Sequence, residues 1–240
     1  PKQSGTRNAT EPRARRLVRN AEEQRRPDRV RSGGRAGRRG GGPARMRGCA
    51  RRCGVTDPGT ASTIRAEAPG RVNLIGDHTD YMGGLVLPMA VQMGTAITAT
   101  RGGGRIELTS SRVPGLLSVP LPVQDPATVE PSWGRYVAGV AAVLGATAGL
   151  VGTVESDLPL GSGLSSSAAL EVATALALGD DGSPLEVARR CQMAEQRATG
   201  VPCGIMDQLA STAGVRGHAL LIDCATMEIT PVPVPDRASV

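Results

Sequence analysis

A chain that must close its core with one Trp, two Tyr and no Phe has to do so with Leu, Val, Ile, Ala and Met. Residues 1–60 hold no aliphatic run long enough to bury, so a core has to come from residues 61–240. The 240 residues exceed one ordinary domain of ~100–150 residues, which leaves room for one full domain with flanking material. Charge divides the chain at the same place. Residues 1–60 carry a net charge of +12 and residues 61–240 one of −6, so the overall +6 describes neither part. The leading stretch, rich in Arg, Gly and Pro, is read as a disordered basic arm. Its run from Arg31 to Arg39 could meet RNA or acidic lipid through non-specific charge contacts, but no aromatic residue interleaves it to stack on bases. No apolar core follows the basic residues, as a secretory signal would require, and Met46 is a sensible initiator.

The five cysteines are odd in number and scattered, which yields neither a disulfide framework nor a zinc knuckle. No apolar stretch reaches the roughly 18 residues of a membrane span. A soluble, reducing, cytoplasmic setting is therefore expected. Lys2 is the only lysine, and it lies in the arm. A Walker A loop, a protein-kinase strand lysine and a Schiff-base amine are accordingly closed to residues 61–240.

From Ile64 onward, β-rich runs alternate with Gly and Pro, and strands are predicted at Val72 to Ile75, Gly84 to Leu87, Thr95 to Thr100, Ile106 to Ser110 and Val151 to Ser156. Helices are predicted over Gly134 to Ala148, anchored by Trp133 and Tyr136, and over Ala168 to Leu178. A third follows a capping box made by Ser183 and Glu186, with Pro184 in its first turn and Gly200 at its end. Ala219 to Asp223 and Met227 to Val232 read as a closing hairpin. The expected class is α+β.

Three segments carry chemistry. Leu158 to Leu170 places Gly161, Ser162, Gly163, Leu164, Ser165, Ser166 and Ser167 before a helix whose first N–H groups lack partners. Such a loop suits an anion, although a plain Ser-capped helix has the same look. A serine hydrolase fits poorly, because the spacing is not G-x-S-x-G. The second segment, Ala68 to Tyr81, crowds Arg71, Asp77, His78 and Asp80 around a strand end. Charged groups beside an apolar run need pairing or a function, and this set suits sugar hydroxyls. His78 and Asp80 have no further ligand nearby to complete a metal site. In the third segment, Pro202 to Gln208, Asp207 could be an N-cap or could accept a proton from a substrate hydroxyl. On the third helix Val187, Cys191, Ala194 and Ala198 form an apolar stripe flanked by Glu195. Glu195 could join a surface ion pair, or with a loop serine could hold Mg2+ beside nucleotide phosphates.

Together these segments resemble the galactokinase branch of the GHMP kinases, over about residues 64–225, most specifically in Gly70-Arg-Val-Asn-Leu-Ile-Gly-Asp-His-Thr-Asp-Tyr81. The resemblance implies a GHMP-kinase-like amino-terminal domain in residues 61–240, with the carboxy-terminal α+β domain largely absent. It implies phosphoryl transfer from ATP to galactose; the alternatives are binding of the two by a regulator of the same fold, or an inactive truncated fragment. By the same resemblance Asp207 is the base and Arg71 steadies the transferring phosphoryl group. Asp77, His78, Asp80 and Gly204 contact the sugar, Gly161 to Ser167 cradle the ATP phosphates, and Ser167 and Glu195 hold Mg2+. Two departures from the family's pattern stand out: Asp77 replaces its usual Glu, and the chain stops at Val240 where the family continues.

Overall fold

The structure, a computed structural model, describes residues 50–55 and 63–235. Most of the expected arm, residues 1–49, lies outside the described residues. Part of it does not. Arg51–Val55 forms an edge strand, β1, paired antiparallel with β2 (Thr63–Asn73). The remaining strands are β3 (Leu85–Val86), β4 (Pro88–Arg101), β5 (Arg105–Ser110), β6 (Leu116–Pro120), β7 (Leu150–Ser156), β8 (His218–Asp223) and β9 (Glu228–Pro233). Six of them form one sheet in the order β1-β2-β4-β7-β5-β6, and β3-β8-β9 form a second. Every pair is antiparallel except β5 with β7. The chain between those two strands passes through β6 and the helix α1 (Gly134–Leu144). Three further helices follow: α2 (Ser166–Leu178), α3 (Pro184–Thr199) and α4 (Met206–Ala213).

Strand β2 shows how a sequence with little aromatic content still specifies a sheet. Ile64, Ala66, Ala68 and Gly70 alternate into the core, while Arg65 and Glu67 point to the other face. On that face Glu67 accepts from Nε of Arg51 and from Nε of Arg65, each at 2.8 Å, and Arg65 reaches Glu155 on β7 at 3.3 Å. The guanidinium of Arg51, then that of Arg65, holds the Glu67 carboxyl below its ordinary range. A depressed carboxyl adds stability above its unfolded pKa and loses it as pH falls through the folded one. Glu67→Gln is therefore expected to lower the unfolding free energy by roughly 0.5–1 kcal/mol at pH 7. Urea titrations should show that difference closing below about pH 4.

The larger core lies between the six-stranded sheet and α1, α2 and α3, where Ile97, Ile106, Leu108, Leu117 and Leu150 meet Val137 and Val172. Small residues let these elements approach closely: a Cβ on Gly139 of α1 would lie 2.5 Å from the carbonyl oxygen of Ala194 on α3. A second cluster joins Val86, Leu220 and Ile222 to Ile205, Met206 and Leu209 at α4. Helix α3 begins as its sequence predicts. The Ser183 hydroxyl accepts from the Glu186 N–H and the Glu186 carboxylate accepts from the Ser183 N–H, while Gly200 ends the helix at φ +70°.

Several boundaries differ from expectation: β2 begins at Thr63 rather than Val72, and β4 at Pro88 rather than Thr95. The strand expected to run to Ile75 ends at Asn73; Leu74 and Ile75 are exposed and bond Leu87 across a loop turned by Gly76 at φ +106°. Helix α1 stops at Leu144 because Gly145 adopts φ +58° and caps it. Helix α2 starts at Ser166, two residues early.

Candidate active site

The end of β2 brings the three chemistry-bearing segments together. At Gly70 the register slips between Pro69 and Arg71. The Pro69 carbonyl freed there accepts from Oγ of Ser211 on α4 at 2.8 Å. The next two residues of the strand meet the Gly/Ser loop. A Cβ at Gly70 would stand 2.5 Å from the Leu164 carbonyl oxygen and 2.6 Å from Cδ2 of Leu158. Arg71 N–H donates to that same Leu164 carbonyl at 3.1 Å.

The Arg71 side chain then spans the loop and α4. Its Nη1 donates to the Gly163 carbonyl at 2.7 Å, and its Nε and Nη2 grip Oδ1 and Oδ2 of Asp207 at 2.7 and 2.8 Å. Ser165 completes the arrangement by donating its hydroxyl to Oδ2 of Asp207. To do so Ser165 takes a left-handed conformation, φ 53° and ψ 54°, and makes no cap bond to α2. A non-glycine residue there is strained, and such strain concentrates at functional sites. Asp207 is not the N-cap: Ile205 is, and Asp207 lies in the first turn of α4 with both oxygens engaged.

Gly161 and Gly163, at φ +71° and +72°, turn the loop so that Gly161, Ser162 and Gly163 are exposed. Ser162 braces it by donating to the Pro159 carbonyl at 2.9 Å. Ser166 and Ser167 occupy the first turn of α2, where backbone N–H groups and the helix dipole favour an anion. The loop's opening therefore lies beside the Arg71–Asp207 pair.

On the segment from Ala68 to Tyr81, Asn73 donates from Nδ2 to Oδ1 of Asp77. His78 sits at φ +62° with its ring edge-on to Tyr81, centroids 6.1 Å apart. Asp77 and His78 are exposed, whereas Asp80 is half-buried against α4. Its Oδ2 accepts from the Met206 N–H at 3.4 Å and rests on Gly204, where it leaves no room for a Cβ. The segment is thus pinned to the helix turn that carries Asp207. Gly204→Ala would push the Asp80 carboxylate aside and loosen its bond to the Met206 N–H, so the unfolding free energy is expected to fall by about 1–3 kcal/mol. Urea titrations of the variant beside the parent protein measure it.

Behind Asp207, the Gln208 side chain donates from Nε2 to Oε2 of Glu195 at 2.7 Å and to Oε2 of Glu171 at 3.0 Å. Burial, then the charge of Glu195, raises the Glu171 carboxyl well above its ordinary value. Burial and Glu195 likewise push the Cys203 thiol up to about 12. Gln192 and Gln196 donate to the Cys203 carbonyl at 2.9 and 3.3 Å, fixing the turn before Gly204.

Among the described residues no hydrogen bond joins Ser167 to Glu195, and no group of three or more His, Cys, Asp or Glu could hold a metal. The two residues nonetheless fit Mg2+. Both offer hard oxygen, Glu195 has lone pairs beyond the one Gln208 occupies, and Mg2+ commonly binds through one or two carboxylates plus substrate phosphates.

The sequence does not flag Asn73, Glu171 or Gln208 as site residues, and Trp133 and Tyr136 read only as anchors for a helix. They line a cavity of about 380 Å³ with Ser132, Arg135, Ala198 and Thr199. The buried Nε1 of Trp133 has no hydrogen-bond partner among the described residues. Burial, then the charges of Glu195 and Glu171, raises the Tyr136 hydroxyl above its ordinary value.

Comparison with known proteins gives this geometry a family. The galactokinase galactose-binding signature matches residues 57–101, and the GHMP kinases N terminal domain matches residues 135–215. The chain belongs to the galactokinase branch of the GHMP kinases. A galactokinase of Bos taurus is 45% identical over 202 residues, covering 78% of this chain and 51% of its own length. One of Haemophilus influenzae (strain PittGG) is 41% identical over 189 residues, covering 74% and 48%. The crystal structure of Lactococcus lactis galactokinase complexed with galactose superposes with a TM-score of 0.67 at 32% identity, over 73% of this chain and 48% of that one. Mevalonate kinase of Methanococcus jannaschii, TM-score 0.57 at 20% identity over 73% of this chain and 57% of that one, shares the GHMP fold. The chain spans about half the length of the curated galactokinases it matches. Among its described residues no helix is long and apolar enough to cross a membrane.

Proposed function

We propose that the natural protein carrying this chain is an ATP-dependent galactokinase, which moves the γ-phosphoryl group of ATP to the anomeric hydroxyl of galactose and gives galactose 1-phosphate. The observation that carries this reading is the Asp207 carboxylate, gripped by Arg71 and Ser165 at the opening of a Gly/Ser loop. In this reading Asp77, His78, Asp80 and the Gly204 backbone orient the sugar. Asp77 is one methylene shorter than the Glu usual in the family, so a water would bridge it to its hydroxyl. Gly161 to Ser167 cradle the nucleotide phosphates with backbone N–H groups and hydroxyls.

Asp207 takes the proton of the anomeric hydroxyl as that oxygen attacks the γ-phosphorus and the bond to the β-phosphate oxygen breaks. Arg71 keeps the carboxylate aimed, and its two uncommitted N–H groups can face the charge of the transferring group. Ser167 and Glu195 would hold Mg2+, which neutralises phosphate charge when bound with the nucleotide. The cavity at Trp133 and Tyr136 suits the purine, since two aromatic side chains line it. Cys191, Cys203 and Cys224 are free thiols, in keeping with a reducing cytoplasmic setting.

With MgATP, the protein is expected to release ADP in proportion to galactose added, and little without the sugar. Binding of both ligands without ADP release would instead assign a non-catalytic sensor of the same fold. Absence of any rise in melting temperature with the two ligands would mean that the chain holds no competent site.

A further inference from the structure

Glu171 sits fully buried in the middle of α2, flanked by Leu170 and Val172. A buried ionisable side chain is costly unless it is partnered, and here the partnering is incomplete. Oε2 of Glu171 accepts from Gln208, while Oε1 of Glu171 and Oε1 of Gln208, both buried, have no partner. A pair of apolar residues would serve the core better. What the pair provides is orientation. Both hydrogens of the Gln208 amide nitrogen are used, one on Glu171 and one on Glu195, so the amide plane is fixed and the Glu195 carboxylate is held at 2.7 Å. Gln208 follows Asp207 in the first turn of α4, and Glu171 lies one turn after Ser167 on the same face of α2. One buried anchor thus touches all three helices that supply the phosphate end of the site.

We infer that Glu171 is a positioning residue: through Gln208 it holds the Glu195 carboxylate and the first turn of α4 in the arrangement that Mg2+-nucleotide binding and transfer require. The inference rests on the kinase reading and adds to it a residue that touches no substrate.

The test compares Glu171→Met, Glu171→Gln and Gln208→Met in the natural protein. Calorimetry of ATP binding across Mg2+ concentrations runs beside steady-state kinetics. Glu171→Met fills the same space without an acceptor, so the Mg2+ concentration for half-maximal ATP binding should rise about 10- to 100-fold, with a similar loss in kcat. The galactose KM should stay unchanged, a split that general destabilisation would not give. Glu171→Gln retains an acceptor for Gln208 and should restore both readouts to within about threefold. Gln208→Met should reproduce the losses even if Glu171→Met does not fold, and the double variant should be no worse than the poorer single one. An unchanged Mg2+ requirement in folded Glu171→Met or in Gln208→Met would overturn the inference, as would a Glu171→Gln variant no better than Glu171→Met. Calorimetry needs no turnover. A wild-type protein that failed to phosphorylate galactose would count against the activity reading, whereas an unchanged Mg2+ requirement in the variants counts against Glu171.

Discussion

Asp207→Asn is expected to lower kcat by roughly 10²–10⁴-fold while the galactose KM moves far less. The amide is nearly the same shape as the carboxylate and can still accept one bond from Arg71, but it cannot take up the proton of the attacking hydroxyl. Arg71 keeps its bond to the Gly163 carbonyl, so the loop should stay in place and the melting temperature should fall by only a few degrees. Steady-state ADP release and a melting curve on the same preparation check both halves of the expectation. A variant with wild-type turnover would remove Asp207 as the base.

Gly70→Ala has a different cause and nearly as large an effect. The added methyl would meet the Leu164 backbone carbonyl at 2.5 Å and the side chain of Leu158 at 2.6 Å, and Leu158 is fully buried and cannot swing away. Strand β2 and the Gly/Ser loop must therefore part. The contacts that stretch are Arg71 N–H to Leu164 and Nη1 to Gly163, which tie the loop to the Arg71–Asp207 pair. Overpacking of this kind costs about 1–3 kcal/mol. A displacement approaching 1 Å between reacting groups lowers kcat/KM for ATP by about 100-fold. Urea unfolding and ATP saturation kinetics measure the two effects, and unchanged values in both would show that the loop does not depend on this close approach.

Much of the site was legible in the sequence because its residues lie in short, chemically dense runs. Arg71, Asp207 and the Gly/Ser loop could be named before their contacts were known, as could the cap of α3 at Ser183. What was not legible depends on long-range packing. Glu171, between Leu170 and Val172, carries no spacing signal of its own, and its burial and its bond to Gln208 depend on how α2 meets α4. Trp133 and Tyr136 carry no spacing signal, and the cavity they line needs α3 as its other wall. Strand β1 was hidden by its arginines, since pairing with β2 sets an edge strand that hydrophobic pattern does not announce. β6, Leu116–Pro120, was missed for its brevity and flanking Gly and Pro.

Transfer to the anomeric oxygen of galactose is the central step proposed, and phosphorus NMR of the natural protein with galactose and MgATP reports on that bond directly. Galactose 1-phosphate and ADP should accumulate in equal amounts, with no inorganic phosphate. Inorganic phosphate as the product, or a phosphate ester on any other sugar hydroxyl, would contradict it.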